Sequence, residues 1–243
     1  MCALLSPSVA RNRLPILGVL RAQIDALALR PVSAAEPAPV TPVTPVTPGV
    51  VRVLEVAAGT GEHAAFFCSQ LPHLVYQPTE PDHSKAESIR SWAADLLDAS
   101  TTSRVLPPLL LGADELADLS LLPACLLAPE SGAPAVDVVL CVNMIHISPF
   151  RSTHDLFRAA QAVLRPGGIA ILYGPFREGR TMVESNEAFD ASLRHRDETW
   201  GIRELEEVRE VAAAAGLVLT NRIEMPANNL CVVFEKSDSL KDC

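Results

Sequence analysis

The sequence predicts an α/β fold with a mostly parallel sheet and helices on both faces, and three observations carry that expectation. From Val51 onward, apolar runs of strand length alternate with helical patterns, the order that builds a parallel sheet. The first run, V-R-V-L-E-V, ends in A-A-G-T-G and passes directly into a helix start, E-H-A-A. At 243 residues and 49% hydrophobic content, the chain is long enough to bury one full core but not two independent ones.

The elements follow in order. Pro15 to Leu29 carries Ile16, Leu17, Leu20, Ile24, Leu27 and Ala28 at helical spacing, with Pro15 suited to a first turn. Residues 1–30 are thus expected to hold an amphipathic helix that packs on the domain. Pro31 to Pro48 contains P-V-T-P-V-T-P-V-T-P, which favours extended polyproline II and predicts a linker over 31–49, leaving 50–243 as the main domain. Val51, Val53, Leu54 and Val56 form the first strand, and Leu74 to Gln77 a short second one that ends in P-T-E-P-D. A helix is expected from Ser84 to about Leu97, and a third strand over Leu106 to Leu111, confined to an edge by Pro107 and Pro108. Val136 to Val142 reads as a buried fourth strand leading into N-M-I-H-I-S-P-F. Thr153 to Leu164 reads as a helix closed by a turn at R-P-G-G, and Gly168 to Tyr173 as the fifth strand. Val218 to Glu224 and Cys231 to Glu235 are two final strands joined through M-P-A-N-N-L.

Charge narrows the partners. With 29 acidic against 20 basic side chains the net charge is −9, which repels phosphate backbones and argues against nucleic acid. Arg151, Arg158, Arg165, Arg177 and Arg180 share one span but read as solvated arginines. The six cysteines lack C-x-x-C spacing, and His63, His73 and His83 stand ten apart, so no metal site is expected. Cys68, Cys141 and Cys231 lie within apolar runs, as buried thiols of a reducing compartment do. No apolar run approaches a membrane span. A cytoplasmic location is expected, although Arg11, Arg13 and Arg21 against the single acid Asp25 also suit a mitochondrial presequence.

Two cofactor classes compete for the glycine turn. Gly59, Gly61 and Ala64 fit G-x-G-x-x-A, the dinucleotide fingerprint in which pyrophosphate rests on a helix N-terminus. Glu55 stands four residues before Gly59; a carboxylate there repels pyrophosphate and accepts hydrogen bonds from a cationic group. E-x-x-x-G-x-G resembles motif I of class I S-adenosylmethionine methyltransferases, with Ala57 in place of the usual first glycine. That resemblance implies that Glu55 lies near the methionine end of S-adenosyl-L-methionine.

Ligands of open α/β sheets bind beyond the carboxyl ends of the strands. Glu80 lies there, about twenty residues past the glycines, where an acid meets ribose hydroxyls; Asp82 is the reserve. Asp114 is a candidate for the adenine amino group or for a helix cap. Asn143 and Met144 follow the fourth strand as cofactor or substrate contacts. Asn143, His146 and Tyr173 are the catalytic candidates; His146 as a base competes with a structural role. The segment from Tyr173 to Arg203 is rich in special residues, and Tyr173, Asn186, Asp190, Arg194, Trp200 and Arg203 are candidates for substrate binding. Asn186, Asp190 and Arg194 recur at i, i+4 and i+8, on one helix face or as a surface ion-pair ladder.

The motifs R-N-x-x-P-I, L-E-V-A-A-G-T-G-E-H, L-P-H-L-x-x-Q-P-T-E, V-N-M-I-H-I-S-P-F, Y-G-P-F, N-E-A-F-D-A-S-L-R, W-G-I-R and M-P-A-N-N-L together resemble the methyltransferase-like 26 (DUF938) family. The resemblance implies a class I methyltransferase fold, Rossmann-like, with a seven-stranded sheet whose last pair contains an antiparallel strand, and a site for S-adenosyl-L-methionine. It implies no particular substrate, so a small molecule or a protein is the expected acceptor. A non-catalytic binding protein and an NAD-linked oxidoreductase remain the alternatives.

Overall fold

A computed structural model of the chain describes residues 3–28, 49–96, 102–128, 132–179 and 182–237. The proline-rich linker, apart from Gly49, lies outside the described residues.

Helix α1 spans Pro7–Ala28, so Pro7 rather than Pro15 takes the first-turn position, and Ser6 O accepts from Val9 N at 3.0 Å. Pro15 sits inside the helix, where its missing N–H costs one backbone bond. Burial of Ile16, Leu17 and Leu20 against the domain offsets that cost.

Strand β1 (Val51–Val56) is followed by α2 (Glu62–Gln70), β2 (Leu74–Pro78) and α3 (His83–Leu96). Strand β3 is only Arg104–Val105, shorter than and ahead of the predicted Leu106–Leu111. Pro107 and Pro108 have no N–H to give a ladder, so pairing resumes only as a lone bridge between Thr79 and Leu109, while Gln77 Nε2 takes up the Pro107 carbonyl at 2.8 Å.

Strand β4 (Val136–Val142) leads through a 3₁₀ turn at Ile145–Ile147 to α4 (Arg151–Val163), and β5 runs from Leu164 to Gly174. R-P-G-G is therefore not a turn between helix and strand but a bulge within β5: Val136 pairs with Leu164, and Val138 with Ile169. Gly167 adopts φ 68, and a Cβ on Gly168 would lie 2.9 Å from the Arg165 carbonyl. Two short strands, β6 (Phe176–Arg177) and β7 (Arg203–Glu204), pair with each other around α5 (Glu184–Arg196). Helix α6 (Leu205–Ala214) precedes β8 (Leu217–Met225) and β9 (Asn229–Lys236).

The main sheet has the order β3-β2-β1-β4-β5-β9-β8, parallel except for β9, which runs antiparallel to both β5 and β8. This is the seven-stranded sheet with its antiparallel strand in the last pair that the resemblance implies. Alternate residues feed two cores. Val139, Ala170, Leu172 and Phe234 face α4 and α6, while Val138, Ile169, Ile171 and Val233 face α1 and α2.

Candidate functional site

The central strands β1 and β4 are neighbours, but β1 continues to β2 on one side and β4 to β5 on the other, so their connections part at the carboxyl ends. Each strand is left through a residue in the left-handed region, Ala57 at φ 56 and Asn143 at φ 57. Between them opens a crevice of about 210 Å³, bordered by Ser6, Ser8, Glu55, Ala57, Gly59 and Asn143. Ser8 and Asn143 also border a larger cleft of about 710 Å³ that holds Asn12, His146, Tyr173 and Asn186. A separate cavity of about 340 Å³ at the amino ends of the strands is bordered by Arg52, His73 and Arg104 and contains none of the candidate residues.

The two glycines have different tasks. Gly59, at φ 58, faces open space in the crevice. Gly61, at φ 82, caps α2, and a Cβ there would lie 2.8 Å from the Ile89 backbone. Gly61 thus serves the close approach of α2 to α3 rather than that of a ligand.

Burial governs the electrostatics of the crevice. Glu55 is 1% exposed, and its Oε2 has no hydrogen-bond partner. Desolvation pushes its carboxyl up to about 8; the nearby Tyr76 hydroxyl acts in the opposite sense, without completing a hydrogen bond, and the Glu80 charge adds to the rise. His63 Nδ1 lies 3.9 Å from Glu55 Oε1, and its Nε2 is 2.9 Å from Asn12 Oδ1 of α1. Burial, reinforced by Arg13, holds the His63 imidazole down to about 4, so it is neutral at pH 7 and forms no ion pair with Glu55. Glu80 braces the turn: its Oε2 accepts from Gly59 N at 2.8 Å, and its Oε1 from Asp82 N at 3.1 Å.

In the cleft, His146 is 3% exposed with an unpartnered Nδ1. Burial, then Arg203 and Arg196, lowers its imidazole to about 4. A Cβ on Gly174 would lie 3.2 Å from His146 Nδ1 and 3.5 Å from Asn143 Oδ1, so the glycine of Y-G-P-F makes room for both side chains. Burial raises the Tyr173 hydroxyl, opposed by the Asn12 amide and the Arg11 charge. Asn186 Nδ2 donates to Asn228 O at 3.2 Å and so ties α5 to the β8–β9 hairpin.

Several candidates stand elsewhere. Asp190 pairs with Arg194 at 2.8 Å and accepts from Ile202 N, which braces the 197–203 segment; neither residue borders the crevice or the cleft. This is the ion-pair reading of that helix face. Trp200 stacks under the Arg196 guanidinium at 5.6 Å. Arg203 works from behind the site, donating to the carbonyls of Ile145, Ser148 and Thr199, and so fixes the turn that carries His146. Met144 packs against the core on the α4 side, with Ser148 Oγ 3.3 Å from its sulfur. Asp114 is exposed in the loop after the Thr79–Leu109 bridge and borders neither cavity.

Residues outside the candidate set complete the cleft. Ser8, Arg11 and Asn12 come from α1, and Asn228 and Asn229 from the β8–β9 turn. For all but Ser8 the sequence signals were R-N-x-x-P-I and M-P-A-N-N-L, motifs whose polar residues interrupt otherwise apolar elements.

Solved structures share this fold. An O-methyltransferase family protein from Burkholderia thailandensis superposes with a TM-score of 0.62 at 15% identity, over 93% of this chain and 58% of its own. The S-adenosylmethionine-dependent methyltransferase SibL, in its apo form, gives 0.57 at 18% identity over 78% and 51%. CalO1, a methyltransferase in calicheamicin biosynthesis solved in its SAH-bound form, gives 0.57 at 15% identity over 89% and 55%. The chain therefore spans little more than half the length of these proteins, and the likeness is one of fold. Sequence is more specific: the profile of the family described as "Protein of unknown function (DUF938)" matches residues 41–236, and the chain belongs to the DUF938 family.

Proposed function

We propose that this protein is an S-adenosylmethionine-dependent methyltransferase acting on a small molecule, and that it falls in the methyltransferase-like 26 group of its family. One observation carries the reading: Ser8 and Asn143 border both the crevice over the glycine turn and the larger cleft. A donor in the first and an acceptor in the second meet at that common wall. The SAH-bound and S-adenosylmethionine-dependent fold relatives support the choice of cofactor.

The residues present fit that cofactor. Glu55 brings to the crevice a buried carboxyl whose Oε2 has no partner; it holds its proton at pH 7, and an incoming ammonium group would favour loss of that proton and pair with the carboxylate. Gly59 presents bare backbone to open space. Glu80 does not border the crevice; its carboxylate holds Gly59 N from behind, so its part would be to set the turn on which the cofactor lies. When bound, the cofactor supplies a methyl group already activated by a positively charged sulfur, so the chain contributes mainly position. Asn143 orients groups at the junction of the two cavities, and the His146 ring forms part of the cleft wall. An imidazole held to about 4 is a weak proton sink; the acceptor's proton leaves through the open cleft to water.

That same weakness favours a second reading, a protein that binds the donor without transferring its methyl group. Calorimetric titration with S-adenosylmethionine, S-adenosylhomocysteine and NAD separates the possibilities. Binding of NAD alone would sink the methyltransferase reading. Incubation of a cell extract with labelled methyl donor then tests transfer: a labelled product made by wild type and lost in Asn143→Ala supports it, and no labelled product favours the binding protein.

A further inference from the structure

The acceptor cleft is chemically one-sided. The described residues that border it include one full charge, the guanidinium of Arg11, and no carboxylate, although the chain as a whole carries net charge −9. Arg11 is exposed, and its charge reaches the Tyr173 hydroxyl across the cleft. Arginines elsewhere on the surface are engaged with acids, as Arg177 is with Glu204 and Arg222 with Glu178. The cleft also keeps apolar area open: Phe189 is 38% and Ile147 42% exposed, and both border it. Around these sit amides that donate and accept, Asn12, Asn143 and Asn229 among them, and His146, a residue 3% exposed whose Nδ1 has no hydrogen-bond partner.

Resting on the methyltransferase reading, we propose that the acceptor is a small carboxylic acid with an apolar, ring-sized body, its carboxylate held by Arg11 and its body laid against Phe189 and Ile147. A planar guanidinium meets a carboxylate with two parallel hydrogen bonds. A single cation suits a monoanion; the negative field of the rest of the molecule opposes a dianion. The amides then read hydrogen-bonding substituents on the body, since a buried polar group left unpaired penalises an acceptor that lacks them.

Benzoate and its neutral isostere benzamide serve as probes, titrated into the full chain by calorimetry or ligand-observed NMR, with and without S-adenosylhomocysteine. Benzoate is expected to bind about tenfold tighter than benzamide, as loss of a charged hydrogen bond implies. Arg11→Gln should weaken benzoate to the level of benzamide and leave benzamide unchanged, and Arg11→Lys should restore part of the preference. Arg11 is exposed, so the fold should survive these changes, as thermal unfolding will show. Equal binding of the two probes, a preference that persists in Arg11→Gln, or no saturable benzoate binding would each overturn the proposal. Titration of S-adenosylhomocysteine alone reports on the donor crevice, so failure of the methyltransferase reading is seen separately from failure of the carboxylate site.

Discussion

Glu55 and the two buried histidines make stability depend on pH in opposite senses. The Glu55 carboxyl, at about 8 in the folded chain, holds its proton more tightly there than when unfolded, so its contribution is present at low pH and lost as the pH rises through about 8. His63 and His146, lowered from 6.5 to about 4, contribute fully above 6.5 and lose that contribution as the pH falls toward 4. Urea unfolding should therefore show stability rising up to about pH 6.5 and then falling toward pH 8, by at most about 1.4 kcal/mol per pH unit for one group. Glu55→Gln should abolish the fall and keep the rise; an unchanged slope above pH 6.5 would refute the assignment. The glycines are separable in the same assay. Gly61→Ala drives a Cβ into the Ile89 backbone and should cost more than about 2 kcal/mol, whereas Gly59→Ala meets nothing and should cost about 1 kcal/mol from its positive φ alone. The sequence shows two glycines at a suggestive spacing, but not that one of them answers to α3, because Ile89 is 28 positions away and only the fold brings it near.

At the scale of elements, strands with runs of β-branched residues were the most legible. Val136–Val142 is found at its predicted bounds, because a strand buried on both faces has to be apolar throughout. A proline misled near the start of the chain. Pro15 reads as a helix start yet lies inside α1, since tertiary burial of one helix face outweighs a single lost hydrogen bond. Pro15→Ala should accordingly raise stability by about 1–2 kcal/mol in urea unfolding, provided the helix closes its missing bond. The face of α5 misled more subtly. Each step of four residues overshoots a full turn, so eight residues drift by about 80°. Asn186 therefore meets the β8–β9 turn, while Arg194 meets the segment at Gly201. Arg203, read from sequence as a substrate contact, acts on the element that carries His146. Arg203→Lys cannot reproduce its fork of contacts to three carbonyls. It should lower stability by about 2 kcal/mol and shift the His146 ring resonances in NMR, with no rescue from the retained charge.

For the whole molecule, the two-faced sheet was legible from alternation alone, but the crevice and the cleft were not, because part of their border comes from α1 and from the β8–β9 turn, far apart in the chain. The segment before α1 lies across α2 and α3: Leu4 N donates to Ser88 Oγ, Trp92 Nε1 donates to Leu4 O, and Ser6 N donates to Glu62 Oε2. At about 210 Å³ the crevice is smaller than the ~300 Å³ at the low end of small-molecule sites, so if the proposed donor binds there, this segment is expected to shift as it enters. Ser88→Ala combined with Trp92→Phe should speed association of S-adenosylhomocysteine several-fold in stopped-flow measurements, and an unchanged rate would show that the segment is no barrier. Among the described residues no helix is long and apolar enough to cross a membrane. Arg158, Arg165 and Arg177, read from sequence as solvated, each pair with an acid at the surface. Ser8, at the start of α1, borders both chambers. If the proposed methyl transfer takes place there, an excursion of that helix end would open both chambers together, and turnover should then display a single shared release rate rather than an ordered pair.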